Sequence, residues 1–357
     1  MNIGIPKEWN DPRVALTPPT VKKIKDLGVN ILVEKGAGIA SSFGDDLFAE
    51  DAQLVERKDV MAADVIISIN PLPVADLKNL APGTLLISQF KPFFDDSIIT
   101  QLKNMQLKAF SLDMIPRTTL AQSMDVLSSM ASIAGYKAVL MAANHLPRYF
   151  PMMITAAGSI KPAKVLVLGA GVAGLQAIAT AKRLGAQVEA SDTRLAAKEE
   201  VESLGAKFVM VEGAADDSGA GGYAVQQSED FLRRQREEVQ NRASKADVVI
   251  TTAQVRGRKA PILLPKETLD KMQPGSVVVD LAASTGGNCE MTKDREVTKY
   301  NGITIIGDSD LAATMPQDAS TLFANNLVNF LKLIIKEGEL TMNMEDEIVK
   351  GSYITGE

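Results

Sequence analysis

The chain has 357 residues, of which 46% are apolar and 23% charged, a balance that excludes a disordered chain, a collagen-like one and a disulfide scaffold. Its 38 Lys and Arg against 44 Asp and Glu give a net charge of −6, so no cationic surface for nucleic-acid phosphates is expected, although nucleotides remain open to binding through backbone N–H groups. One cysteine, Cys289, excludes an internal disulfide and a multi-cysteine metal site, no metal is expected, and one histidine, His145, leaves at most one imidazole for acid–base chemistry.

The N-terminus, Met1 to Glu8, lacks the basic region and apolar stretch of ~7–15 residues that mark a secretory signal, and it reads as a short strand. The longest uncharged run, 165–181, has 17 residues and three glycines. A spanning helix needs ~20 mainly apolar residues. The chain therefore reads as soluble and cytoplasmic, free to dock on a membrane partner.

Length alone suggests two domains. In the first half, Ile3-Gly4-Ile5, 30–33, 65–68, 85–88 and 108–111 read as strands, with helical spacing over 18–27 and 98–105. Such alternation is the pattern of a parallel α/β sheet. Residues 122–146 lack proline and read as one long bridging helix, whose small residues (Ser128, Ser129, Ala131, Ser132, Ala134, Gly135) permit close packing. In the second half, 164–168, 188–191, 208–211, 248–251, 277–281 and 303–306 read as six parallel strands of a Rossmann domain. After Gln317, apolar residues from Leu322 to Ile334 recur at helical spacing, and that helix is expected to return to the first domain. The fold class is thus α/β, with two Rossmann-like domains whose parallel sheets are joined by long helices and enclose a cleft. The division expected is 1–121 plus 317–357 for an N-terminal α/β domain, and 122–316 for the dinucleotide-binding domain with the bridging helix.

The central motif is Gly169-Ala170-Gly171-Val172-Ala173-Gly174. It follows an apolar strand and opens a helical stretch, the context that gives G-x-G-x-x-G its mechanism. Gly169 permits a tight turn, Gly171 lets a pyrophosphate approach the backbone, and Gly174 lets helix and strand pack closely. The helix N-terminus then offers unpaired N–H groups to the anion. Asp192, 18 residues beyond Gly174 at the end of the next strand, would accept ribose hydroxyls and repel a 2′-phosphate, favouring NAD over NADP. Arg194 is the opposing signal, since an arginine can pair with that phosphate.

Two further segments have both a functional and a plain reading. Gly213 to Tyr223 holds four glycines and reads either as a mobile flap closing Tyr223 over a ligand or as a slack connection. On a helix starting at Gln122, the side chains of Gln122, Asp125 and Ser128 would share one face and could bind a nicotinamide carboxamide; a capped, solvated helix start is the alternative.

With these residues in view, the chain resembles, from end to end, the NAD(H)-binding component, domain I, of proton-translocating NAD(P) transhydrogenase. The motifs carrying the resemblance are Gly4 to Glu8, Arg13 to Pro18, Pro116-Arg117 through Asp125, Ala134-Gly135-Tyr136, Gly169 to Ala177, Gly221 to Ala224, Asp280-Leu281-Ala282 and Gly286 to Cys289. The resemblance places Arg117, Thr118, Thr119, Gln122, Asp125 and Ser128 on a loop beside the nicotinamide, with Arg117, Gln122 and Asp125 as the residues of catalysis and Gln122 reaching toward the partner's NADP(H). It places Gly169, Gly171, Val172 and Gly174 on the phosphate turn and Asp192, Thr193 and Arg194 on the adenosine ribose. Gly222 and Tyr223 fall on a mobile loop, and Gln235 and Gln254 line the same site. The basic run from Gln254 to Lys259 departs from the family's more apolar stretch.

The implied reaction is direct hydride exchange between NAD(H) on this chain and NADP(H) on a separate domain, coupled to proton movement by a membrane-spanning domain. The implied assembly is a homodimer, cytoplasmic and peripheral to the inner membrane through its partner subunits. Such transfer is mainly positioning and needs no acid, base or nucleophile. An alanine dehydrogenase shares the Arg13-Val14-Ala15 start, but neither Ile69 to Pro73 nor Phe90 to Phe94 supplies that family's lysine and histidine pair in register, and His145 falls on the bridging helix. A non-catalytic NAD-binding sensor module is the third reading.

Overall fold

The computed structural model describes residues 1–211, 228–255 and 257–356. The chain divides into two compact units, Met1–Met130 with Ala312–Glu357, and Ala131–Leu311.

In the first unit, β1 (Asn2–Ile5), β2 (Asn30–Glu34), β3 (Gln53–Val55), β4 (Val65–Ile67), β5 (Leu85–Ser88) and β6 (Lys108–Ser111) form a parallel sheet in the order β3-β2-β1-β4-β5-β6. Parallel strands are covered on both faces, which is why they read as continuous apolar runs. One face buries Ile3, Ile5, Val65 and Ile67 with Phe323 and Phe330 of the C-terminal helix Pro316–Ile334. The other buries Ile66 and Leu86 with Leu77 and Leu102. The short edge strand β3 is the one the sequence pattern missed, because one exposed and two half-buried residues carry no periodicity.

The strand order reverses its direction of winding at β1, and the loops leaving β1 and β4 meet there through carboxylates. Glu34, closing β2, accepts the Lys7 N–H at 2.7 Å and the Arg57 guanidinium at 2.7 Å. Glu8 accepts the N–H groups of Ile69 at 2.5 Å and Asn70 at 3.2 Å. Asn70 donates from its amide to Asp11 at 2.8 Å, and Arg13 grips the same Asp11 side-on through Nε and Nη2 at 2.9 and 2.5 Å. Burial drives the Glu8 carboxyl up to about 7 against the two N–H bonds; the nearby Asp11 pushes the same way and Arg13 opposes.

In the second unit a small hairpin, β7 (Met153–Thr155) with β8 (Gly158–Ile160), precedes the main sheet. That sheet contains β9 (Lys164–Leu168), β10 (Gln187–Ser191), β11 (Lys207–Phe208), β12 (Val248–Thr251), β13 (Val277–Asp280), β14 (Glu296–Tyr300) and β15 (Ile303–Gly307), in the order β11-β10-β9-β12-β13-β15-β14. The six expected strands are parallel, although the third is cut to Lys207–Phe208, and β14 joins antiparallel to β15. Its two-residue turn is Asn301-Gly302 with φ of 48° and 79°, the backbone a type I′ hairpin requires. Glu337-Gly338, with φ of 50° and 82°, makes the same turn between β16 (Ile335–Lys336) and β17 (Glu339–Leu340), beyond the C-terminal helix.

The long helix runs Val126–His145, four residues shorter at its start than the sequence suggests. Gln122–Met124 forms a separate 3₁₀ turn, and Asp125 is extended. The cause is a cap: Asp125 Oδ1 accepts the Ser128 N–H at 2.9 Å and Oδ2 accepts the Ser128 hydroxyl at 2.6 Å. Gln122 therefore precedes the helix, and the shared helical face of Gln122, Asp125 and Ser128 does not form. By length and composition this helix is apolar enough to cross a membrane, with Lys137 its one Lys, Arg, Asp or Glu, a property hidden from the uncharged-run criterion. Its small residues are used where expected: a Cβ on Gly135 would meet the Ala173 carbonyl of the helix Val172–Arg183.

Since Glu8 binds its proton more tightly in the folded chain, its contribution to stability is complete below about pH 4.5 and is lost as pH rises through about 7. Glu8→Gln removes this dependence. The urea midpoint of the variant minus that of the native chain is expected to grow from pH 5 to pH 8; a difference constant across that range refutes the assignment.

Candidate functional site

The loops that leave the C-terminal ends of β9, β10, β12 and β13 all emerge at one edge of the second sheet, and β9 is the strand at which its winding reverses. Open α/β sheets bind ligands at such an edge. At β9 the backbone explains each glycine separately. Gly169 has φ of 102°, left-handed, and a Cβ there would collide with the Thr252 hydroxyl. A Cβ on Gly174 would collide with the Gly169 carbonyl. Gly171 differs, since its Cβ would meet nothing within 4 Å. Two glycines thus serve the packing of strand on helix, and the middle one leaves space above the backbone. Gly171 caps Val172–Arg183 without a side-chain hydrogen bond, so the first N–H groups of that helix keep their capacity for an anion, and Val172 is exposed beside them.

Asp192 closes the turn from the next strand. Its Oδ2 accepts the Ala170 N–H at 2.7 Å and its Oδ1 the Arg194 N–H at 2.8 Å. The Arg194 guanidinium lies side-on to the same carboxylate, Nε to Oδ1 at 3.0 Å and Nη2 to Oδ2 at 3.1 Å, and donates to the Ala170 carbonyl at 3.2 Å. The two opposing signals of the sequence are therefore partners: the arginine is matched by the acid. Thr193 between them is exposed.

Gln235 works as a stitch. Its amide donates to Ser191 Oγ and the Val209 carbonyl, each at 3.0 Å, and accepts the Val211 N–H at 2.9 Å. Gln254 follows β12 and donates to the Leu281 carbonyl at 2.7 Å. Gly222 and Tyr223, with the whole glycine-rich segment 213–223, lie outside the described residues, as does Arg256 of the basic run.

Arg117, Thr118, Thr119, Gln122, Asp125 and Ser128 belong to the first unit, whereas the residues from Gly169 to Gln254 belong to the second. Arg117, Thr119 and Gln122 are exposed, Thr118 is half-buried, and Asp125 and Ser128 are bound to each other in the helix cap. His145 ends the long helix, exposed.

The sequence reading missed two supporting residues. Thr252 Oγ1 stands 3.3 Å from both the Leu168 and Gly169 carbonyls, holding the first glycine turn. Asn288, fully buried, pairs like a peptide with Ala253, accepting its N–H at 3.0 Å and donating to its carbonyl at 2.9 Å and to that of Pro261 at 2.8 Å. Asp280 holds Asn288 in turn, accepting the N–H groups of Ala282, Asn288 and Cys289 and the Thr292 hydroxyl at 2.7–3.0 Å. Only the position of Asn288 after Gly286-Gly287 hinted at this, and a hydrogen bond to a residue 35 positions away has no local signal.

Fold and turn define a nucleotide-binding α/β protein, and comparisons with known proteins carry this further. The family model for the alanine dehydrogenase/PNT N-terminal domain matches residues 4–134, and that for the C-terminal domain matches 138–357. In Rhodospirillum rubrum, the first of the polypeptides that make up NAD(P) transhydrogenase subunit alpha is 41% identical over 369 aligned positions, covering 99% of this chain and 96% of the relative. NAD(P) transhydrogenase subunit alpha of Haemophilus influenzae is 42% identical, covering 98% of this chain and 70% of the relative. Among solved structures, transhydrogenase from Sinorhizobium meliloti superposes with a TM-score of 0.91 at 42% identity, covering 99% of this chain and 98% of that one. An L-alanine dehydrogenase superposes with a TM-score of 0.83 at 24% identity, a likeness of fold. The chain belongs to the alanine dehydrogenase/PNT family, and within it to the group of NAD(P) transhydrogenase alpha subunits.

The different surroundings of the glycines predict different losses. Gly171→Ala is expected to keep the native melting temperature and to weaken NADH binding by about tenfold, as its methyl enters the space where a phosphate would approach. Gly174→Ala is expected to lower the melting temperature itself. Thermal melts and NADH titrations of both variants check this; equal melting losses for the two contradict it.

Proposed function

We propose that this chain is the NAD(H)-binding component of a proton-translocating NAD(P) transhydrogenase, exchanging hydride between its own NAD(H) and NADP(H) held by a partner domain. The observation that carries the reading is the turn at Gly169–Gly174, with open space over Gly171, an uncapped helix N-terminus and Asp192 tied to Ala170 beside it. The residues fit the cofactor by the chemistry of their polar groups: N–H donors for a pyrophosphate and a carboxylate acceptor for ribose hydroxyls. NAD(H), when bound, supplies the hydride chemistry. Gly171 and Val172 would hold its phosphates on the turn that Gly169 and Gly174 shape, Asp192, Thr193 and Arg194 would orient its ribose, and Gln235 and Gln254 would border them. Because Arg194 is bound to Asp192, the site prefers an unphosphorylated ribose. Arg117, Thr118, Thr119, Gln122, Asp125 and Ser128 form the nicotinamide-side group. Within it Asp125 holds the geometry of the turn, and Gln122, exposed, addresses the second nucleotide. The function needs positioning of two rings and no proton transfer.

The first unit supports this reading over an amino-acid dehydrogenase, which must hold a substrate carboxylate. Burial works against a charged Asp11, but the side-on Arg13 outweighs it and keeps that carboxyl below its ordinary range. The Arg13 guanidinium thus already grips a carboxylate of its own chain. We further propose a homodimer attached to the membrane through its partner subunits. The β7–β8 hairpin, which leaves Ile154 76% exposed, is apolar surface suited to a second copy.

Three assays separate the readings. The chain with NAD and alanine is expected to be inactive, NADH with an NADP analogue alone to be inactive, and addition of an NADP-binding transhydrogenase domain to start turnover. Turnover in the first arm establishes a dehydrogenase instead, and binding without turnover in any arm a sensor. Asp192→Ala is expected to weaken NADH and to reduce its preference over NADPH, read by titration with both nucleotides. Gln122→Asn is expected to slow hydride transfer in stopped flow more than it weakens NADH binding; equal losses refute its role.

A further inference from the structure

Gln122 stands in a string of tight turns. Ala121 N–H donates to the Thr118 carbonyl at 3.1 Å, Met124 N–H to Ala121 at 2.9 Å, and Asp125 N–H to Gln122 at 3.3 Å. The downstream end is fixed by the Asp125 cap on the long helix, and Met124 and Ala121 are buried in the first core. None of these three bonds engages the Ser123 carbonyl, next to Gln122. That task falls to residues about two hundred positions away. Asn326 and Asn329, on the C-terminal helix Pro316–Ile334, both donate from Nδ2 to the Ser123 carbonyl, at 2.8 and 3.1 Å. At a spacing of three they lie on the same helical face, and one carbonyl oxygen has lone pairs for both donors.

The cost of this contact is visible. Asn326 is buried, and its Oδ1 has no hydrogen-bond partner among the described residues. A leucine at this buried position would leave no orphaned acceptor. Turning the amide over would set its oxygen against the Ser123 oxygen, so the side chain has one useful orientation. Two amides of one helix are thus spent on a single exposed turn, and that turn carries Gln122.

We propose that Asn326 and Asn329 are positioning residues for hydride transfer, a clamp on the Ser123 carbonyl that fixes where Gln122 points. The proposal rests on the role given to Gln122 above. A rigid turn matters because transfer between two rings depends on sub-ångström placement, and misplacement by about 1 Å can cost ~100-fold in rate. A purely structural role for the two asparagines would lower stability without acting through Gln122.

The test is single-turnover hydride transfer by the full chain assembled with an NADP(H)-binding transhydrogenase domain, alongside NADH titration and thermal melting. Asn329→Ala and the isosteric Asn326→Asp are each expected to slow transfer by about tenfold, with the NADH dissociation constant within about twofold of native. Asn329 is only half-buried, so its variant folds even if Asn326→Asp does not. In a Gln122→Asn background, adding Asn329→Ala is expected to slow transfer by less than about twofold, because residues acting through one another are not additive. A native-like rate in Asn329→Ala, or multiplied losses in the double variant, overturns the clamp. A native chain that transfers no hydride overturns the functional reading, and the clamp with it; a competent native chain with an unaffected Asn329→Ala overturns the clamp alone.

Discussion

Parallel strands can be re-entered from one end only, and this constraint organises the chain. Each strand of the second sheet except β14 delivers its following loop to a single edge. The residues that matter there are far apart in sequence: Gly171, Asp192, Thr252 and Gln254 emerge from three different strands, the last two from the same one. The close approach at Gly169 and Gly174 then sets how near the first helix stands to that edge. Neither position tolerates a Cβ, since Thr252 and the Gly169 carbonyl occupy the space.

The two units use one strand order for different ends. In both, the loop leaving the central strand donates an N–H to an acid at the end of the neighbouring strand, and an arginine pairs with that acid: Lys7, Glu34 and Arg57 in the first unit, Ala170, Asp192 and Arg194 in the second. Beyond this shared contact the units diverge. The second unit has glycines and a helix start without a side-chain cap. The first has Glu8, whose carboxylate takes the N–H groups of Ile69 and Asn70. One switch point leaves a helix start without a side-chain cap, and the other satisfies N–H groups with a carboxyl of its own chain.

Much of this was readable from residue order. The buried strands announce themselves as apolar runs, and the glycine turn with its distant acid gives the second unit its character. Asn301-Gly302 carried the signal for the antiparallel β14, but its polar strand hid the hairpin from an apolar search. The start of the long helix was obscured because Asp125 can either continue a helix or cap one. The pairing with Ser128 that decides the matter is a three-dimensional fact. The links from Asn288 to Ala253 and from Asn326 to Ser123 span 35 and 203 positions, distances over which local pattern says nothing.

The ends of the second sheet show how this chain stays discrete. β11 has two residues, too short to template another strand. At the opposite end β14 turns an outer margin containing Glu296 and Lys299 to solvent. Among the described residues, charges on one margin and a two-residue stub on the other disfavour edge-to-edge pairing with a neighbouring molecule. Fibril-like growth of this sheet is disfavoured at both margins, and association between copies falls to matching side-chain surfaces.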